Sequence, residues 1–212
     1  MDLTKTPQWK AVGGLSRPSK MPCFSYSIPA SNCITGGKLF NVANSVCENC
    51  YARGGRYPMK NVQNALHRRM NSLADPLWVD NMVYLIKNAK QKFFRWHDSG
   101  DLQGEWHLNK IVEVARQCPS VKFWLPTKEF RMVSDWQKAN GAFPDNLTVR
   151  MSAPMKEHRV HPKFGPSSMV VKDPSKNPNT FTLCKAYERQ GKCGNCRACW
   201  NKSVPVVAYK EH

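Results

Sequence analysis

Acidic residues are scarce in this chain: 15 Asp and Glu stand against 32 Lys and Arg over 212 residues, a formal net charge of +17. That balance excludes an acidic, solvating protein. It points instead to a polyanionic partner, most simply nucleic acid, or to an anionic cofactor. No run of about 18 apolar residues occurs, so neither a membrane span nor a membrane partner is expected. The amino-terminal decapeptide MDLTKTPQWK has no apolar core. No secretory signal is therefore expected, and a cytoplasmic protein is the default. In that compartment thiols stay reduced, which excludes a disulfide framework for the nine cysteines. Hydrophobic residues make up 41% of the chain, enough for a packed core, and the length suits a single domain over 1–212.

The charge is unevenly spread. Residues 3–74 hold ten Lys/Arg and one acid, Glu48, and residues 158–210 hold ten Lys/Arg and two acids, Asp173 and Glu188. The middle, 75–157, is nearly neutral, with twelve bases and ten acids. Every cysteine except Cys118 lies in a basic flank. Nearby Lys and Arg lower thiol pKa values and help hold a cluster of thiolates. The chain divides accordingly into a basic, cysteine-bearing arm (1–60), a βα core (61–155) and a basic, cysteine-rich tail (156–212).

Hydrophobic period places the elements. Residues 1–32 show none and read as an extended arm. Val62, Ala65, Leu66, Met70 and Leu73 follow helical spacing, and Asp75-Pro76 opens a second helix burying Val79, Met82, Val83, Leu85, Ile86 and Ala89. Strands are expected near Lys92–Trp96, Val121–Leu125 and Leu147–Met151. Helices carrying Trp106, Ile111, Val114, Ala115 and Cys118, then Phe130, Val133 and Trp136, lie between them. Strands recurring about every 27 residues with helices between are the mark of parallel βα units. Residues 155–180 read as a loop with a short strand near Met169–Val171, and Val204–Tyr209 as a last strand. The expected fold is α/β: a partial or open (β/α) barrel with both cysteine-rich flanks packed at its mouth.

The stretch FFRWHDSGDLQ, Phe93–Gln103, concentrates chemistry at one strand exit, where α/β proteins place ligands. His97, Asp98 and Asp101 are candidates for binding substrate or moving protons. A blander reading makes Asp101 a helix cap and His97 a structural hydrogen-bonding group.

The cysteines carry the strongest signal. Cys193, Cys196 and Cys199 form C-x2-C-x2-C, closer to iron–sulfur ligation than to a two-knuckle zinc site. Cys47 and Cys50 form a further C-x2-C, with Cys23 and Cys33 before it and Cys184 before the tail motif. All eight are candidate metal ligands, with a [4Fe-4S] cluster favoured over zinc. They divide either into two four-thiolate sites, Cys23/Cys33/Cys47/Cys50 and Cys184/Cys193/Cys196/Cys199, or into one site clamped by both flanks. Cys118 reads as a small core residue. A zinc-stabilised nucleic-acid-binding protein, with Trp9, Tyr51, Tyr57 or Trp200 stacking on bases, is the alternative. A third reading has the cysteine-rich part engage a host protein without catalysis.

CENCYARGGRY, FRWHDSGDLQ, FWLPTKE, VRMSAPM and CGNCRACW, followed by a terminal tyrosine and histidine, together resemble the bacteriophage gene product 88 domain family from about Met21 to His212. The resemblance implies a phage protein in an infected host cell and no particular reaction. More distantly, Cys-x2-Cys-Tyr ahead of βα units is similar to radical S-adenosylmethionine (SAM) enzymes, which hold a [4Fe-4S] cluster at the mouth of a partial barrel. That likeness implies SAM as a cofactor, with Arg95, Ser99 and Gly100 as candidate contacts. The three-cysteine spacing of those enzymes is broken here, because Cys33 lies 14 residues before Cys47. A fully ligated redox or structural cluster without SAM cleavage is therefore the expectation.

Overall fold

The computed structural model describes residues 1–175 and 180–211. Part of the expected 155–180 loop, and His212 of the terminal tyrosine–histidine pair, fall outside them. In chain order the elements are α1 (Pro7–Ala11), β1 (Ser25–Tyr26), α2 (Ile34–Leu39), α3 (Lys60–Ser72), α4 (Trp78–Asn88), β2 (Phe93–Trp96), α5 (Glu105–Gln117), β3 (Lys122–Thr127), α6 (Phe130–Asn140), β4 (Leu147–Ser152), β5 (Ser167–Val171), β6 (Thr182–Cys184) and β7 (Val206–Lys210). The seven strands form one sheet in the order β1-β2-β3-β4-β5-β7-β6. Every pair in it is parallel. Near-sequential order with all strands parallel is consistent with an open or partial barrel.

Alternation along the strands sorts the chemistry onto two faces. Phe94 pairs with Phe123 and Phe123 with Leu147, and these three belong to the main core with Trp78, Met82, Leu85, Leu108, Ile111, Val133 and Trp136 from α4, α5 and α6. Arg95 pairs with Trp124 and Trp124 with Thr148, which puts them on the opposite face. There a second, smaller cluster forms from Cys23, Trp124 and Trp200, with Met21, Phe93, Cys199 and Tyr209 around it.

Arg150, fully buried on β4, ties the tail to the sheet. Its guanidinium donates to the carbonyls of Ser167 (2.9 Å), Asn201 (3.0 Å), Ala198 (3.1 Å), Val204 (3.1 Å) and Cys199 (3.4 Å). Five carbonyls around one delocalised cation satisfy a charge that would otherwise be costly to bury.

Three expectations need correction. The arm is not without regular structure: Thr6 caps α1 by accepting from the Trp9 N–H at 3.2 Å, and Ser25–Tyr26 joins the sheet as its edge strand. Two residues are too few to show a period, which hid β1. Asp101 does not cap α5, whose N-cap is Gly104 with no side-chain bond. Trp106, counted with the apolar residues that its helix carries, is 46% exposed, while its neighbour His107 is fully buried. The periodic helices and β2 to β4 lie where expected to within a few residues, and Cys118 is buried at the end of α5. The sheet draws strands from the arm and the tail as well as from the middle.

Candidate functional site

The loop leaving β2 is locked from several sides. Ser99 donates its hydroxyl to the Ile28 carbonyl at 2.9 Å, and the Ile28 N–H donates to the Ser99 carbonyl at 3.1 Å. Gly100 follows at φ +83°; a Cβ there would lie 2.3 Å from Ile28 Cγ1 and 2.8 Å from its carbonyl oxygen. Only glycine fits so close an approach. Asp98 accepts from Ser25 Oγ at 2.7 Å, from Tyr57 OH at 3.1 Å and from Ser27 Oγ. Asp101 accepts from Thr127 Oγ1 (2.6 Å), Leu102 N–H (2.8 Å) and Lys128 N–H (2.9 Å). Burial pushes its carboxyl up to about 6, against the pull of those three donors. Asp101 therefore joins the exits of β2 and β3.

His97 turns the other way. It adopts φ +54°, is 3% exposed, and places its ring 5.2 Å from that of His107. None of the four ring nitrogens has a hydrogen-bond partner. Burial holds both imidazoles below the ordinary histidine range, His107 at about 3.

The thiols fall into two groups. Cys33 precedes α2, in the segment after β1, and Cys47 and Cys50 follow. Burial raises Cys33 to about 12, and Asp101, Cys50 and Cys47 push it further up while Lys128 opposes them. Cys47, raised chiefly by burial, is pulled down by the Lys128 ammonium and feels Cys50 and Asp101. A Cβ added to Gly36 would lie 3.4 Å from Cys47 Sγ and 3.7 Å from Cys33 Sγ, so this glycine keeps the space beside both sulfurs clear. The same segment is tied to the end of β3: Glu129 accepts from the Thr35 N–H and from its hydroxyl, both at 2.9 Å.

Cys184, Cys193, Cys196 and Cys199 form the other group. Beyond the effect of burial, Cys184 feels Cys196, Cys193 feels both, and Cys199 feels Cys184. Cys23 belongs here rather than with its sequence neighbours. Burial raises it to about 12, and Arg95, Cys193 and Arg197 are among its charged neighbours. Cys199 Sγ lies 3.1 Å from the Tyr209 hydroxyl. Cys23 of the arm therefore lies with the tail thiols, so that group draws on both flanks, while Cys33, Cys47 and Cys50 stand apart from it. Among the described residues, no three His, Cys, Asp or Glu side chains converge tightly enough to hold a metal ion.

The aromatics proposed to stack on bases are mostly engaged elsewhere. Trp200 is buried and donates its indole N–H to the Phe94 carbonyl at 2.8 Å. Trp9 packs against the core, and Tyr57 is held on Asp98. Tyr51 is 53% exposed.

A family model described as Gene product 88 matches residues 2–202. The chain belongs to that bacteriophage family. The match to Gene product 88 spans all nine cysteines, from Cys23 to Cys199, together with the loop after β2. No curated protein and no solved structure matches the chain. Among the described residues, no helix is long and apolar enough to cross a membrane.

Lys128, Glu129, Thr35 and Arg150 escaped the sequence reading. Their partners lie 49 or more residues away in the cases of Thr35–Glu129 and Arg150–Cys199. The only signal was the polar run Thr127-Lys128-Glu129 leaving an apolar strand.

Proposed function

We propose that this chain is an iron–sulfur protein of the radical SAM type. Cys33, Cys47 and Cys50 hold a [4Fe-4S] cluster with one iron free of protein sulfur, and the tail thiols hold a second, closed centre. The observation that carries this reading is the partition of the thiols, three in the segment after β1 and five elsewhere. Three-cysteine ligation is what leaves an iron open.

The donor type suits the group, although among the described residues no three of the donors converge on one point. All the donors are thiols, the soft ligands that iron–sulfur centres and zinc share. Thiols that raise one another's pKa gain most from a cationic centre, which deprotonates them outright. A single zinc ion would need its sulfurs at about 2.3 Å, crowded on one point. A cluster meets each cysteine through a different iron, so its sulfurs need not crowd one point. Gly36 keeps a side chain out of that space.

A cluster with an open iron supplies a chelation site for SAM and one electron for its reductive cleavage. Around it the chain's own residues have distinct tasks. Lys128 offsets thiolate charge beside Cys47. Asp101, held by three donors, offers a fixed carboxylate to an ammonium group, as SAM carries. Asp98 is committed to Ser25, Ser27 and Tyr57 and orders the loop together with Ser99 and Gly100. Lys38, Arg53, Arg56 and Lys60, all exposed, flank the group on a segment with few acids, which favours a polyanionic substrate such as nucleic acid.

The test is anaerobic reconstitution, reduction with dithionite and incubation with SAM. 5′-Deoxyadenosine should form above a cluster-free control, vanish in Cys47→Ala and persist in Cys118→Ala. A loaded protein that forms none has a closed electron-transfer or structural centre. A colourless protein with stoichiometric zinc is the nucleic-acid-binding alternative.

A further inference from the structure

The amino-terminal rim of the sheet, opposite the loops that leave β2 and β3, carries two open clefts that share Gln91. The first, of about 470 Å³, is lined by Trp9, Arg17, Phe24 and Gln91 among others. Trp9 and Phe24 are half-buried against the core and meet edge to face, with ring centroids 6.3 Å apart. The exposed Arg17 guanidinium lies over the Phe24 ring, 5.5 Å from its centroid. The second cleft, of about 330 Å³, is lined by Lys87, Lys90, Gln91 and Lys92 together with Ser120. All three lysines are exposed. The Lys122 N–H donates to the Lys92 carbonyl at 2.9 Å, so a fourth lysine begins β3 on the same rim.

Positive charge on this rim goes unanswered. Among the described residues none of Arg17, Lys87, Lys90 and Lys92 forms an ion pair, and no carboxylate lines the second cleft. Asp2 lines the first cleft, where its carboxylate accepts from the Thr4 N–H at 3.0 Å and the Thr4 hydroxyl at 2.7 Å. The carbonyl end of α4 favours a cation at Lys87, in its last turn, but that effect fades beyond the helix. It does not account for Lys90 or Lys92. Lys90 moreover holds φ +52°, the left-handed conformation on which helices commonly end with glycine or asparagine. A lysine at such a position, among like charges, is costly for the fold alone. Gln91 Oε1 accepts from the Phe24 N–H at 2.7 Å, which fixes the amide between the clefts.

We propose that the two clefts form one groove for single-stranded nucleic acid, with bases against Trp9 and Phe24 and phosphates on Lys87, Lys90 and Lys92. Aromatic rings beside a row of cations are what an unpaired strand requires, since stacking accepts any base and lysines follow the backbone. Arg17 adds a cation next to the aromatic pair. A duplex hides its base faces, and an acidic peptide makes no use of the aromatic cleft. The groove lies apart from the basic arm and adds a localised site to the diffuse attraction of the flanks. It does not rest on any metal at the thiols.

Fluorescence anisotropy with a labelled oligothymidylate of about 12 nucleotides, within the range that single-strand sites occupy, tests it. Lys87→Gln, Lys90→Gln and Lys92→Gln together should weaken binding about tenfold or more at low salt. They should also flatten the slope of log affinity against log salt by about 2, at about 0.7 for each lost phosphate contact. The same charge change at Arg131, Lys138 and Lys202, which pair with Asp135 and Asp145, should cost less than about threefold. Lys90→Gly suits the left-handed backbone; it should keep or raise the urea midpoint and still weaken binding about twofold or more. Ultraviolet crosslinks to the bound strand should map to peptides containing Trp9 or Phe24. Equal losses in the two triple variants would overturn the groove, as would crosslinks confined to other peptides. Competition by polyglutamate or by a duplex of equal charge, as strong as that of the oligonucleotide, would overturn the single-strand assignment.

Discussion

Replacing His107 by Phe should remove a large part of the protein's sensitivity to acid. His107 is fully buried between Trp106, stacked 5.5 Å away, and Trp78, edge-on at 6.2 Å, and neither ring nitrogen finds a partner. Burial, with a smaller contribution from Lys110, lowers its pKa from 6.5 to about 3. The folded state therefore keeps it neutral where the unfolded chain protonates it. Stability from this group is complete above pH 6.5 and is lost as pH falls from 6.5 towards 3. Between pH 7 and pH 5 the unfolded state gains most of one proton that the fold refuses, a loss of about 2 kcal/mol. His97, lowered by burial and then by His107 and Arg95, acts in the same direction. Phe fills the same slot without orphaned nitrogens, which removes a penalty of about 1–3 kcal/mol for unpaired polar atoms. Urea melts at pH 7, 6 and 5, run on both proteins at equal metal content, measure the difference. Expected are equal or greater stability for His107→Phe at pH 7 and a flatter pH slope by about 2 kcal/mol. Identical slopes in the two proteins would refute the reasoning.

Other outcomes follow from the same contacts. Gly100→Ala should cost about 1–3 kcal/mol or more, because its Cβ would strike Ile28 and its φ is positive; chemical denaturation reads the loss. Arg150→Met should cost at least about 3 kcal/mol and release the tail to limited proteolysis, since several buried carbonyls lose their donor at once. Cys118→Ala should cost about 1–2 kcal/mol in melts and leave metal content intact. Binding of single-stranded nucleic acid should be weak, indifferent to sequence and steeply weakened by salt in fluorescence titrations, because the basic residues are spread over both flanks.

What the sequence revealed follows the range of the forces involved. Strands β2 to β4 and helices α3 to α6 carry enough periodic residues to be read locally, and Cys118 could be placed as core from its helix face alone. Ser25–Tyr26 and Thr182–Cys184 are strands because neighbours supply the ladder, which no local pattern encodes. The polar loop after β2 was legible as a place, but not the direction of each side chain. His97 turned into the core beside His107, and Asp101 bound Thr127 and Lys128 instead of capping α5. The thiols were legible as a set and not as groups. Cys23 is ten residues from Cys33, yet the fold carries it across to Cys193, Arg95 and Trp200.

Iron and acid-labile sulfide, measured on anaerobically reconstituted protein before and after substitution of Cys33, Cys47 and Cys50 together by alanine, test the central claim most directly. About eight of each per chain are expected in the parent protein, falling to about four in the variant as the tail centre survives. A parent protein that holds zinc instead of iron and sulfide, or a variant that keeps its full iron content, would contradict it.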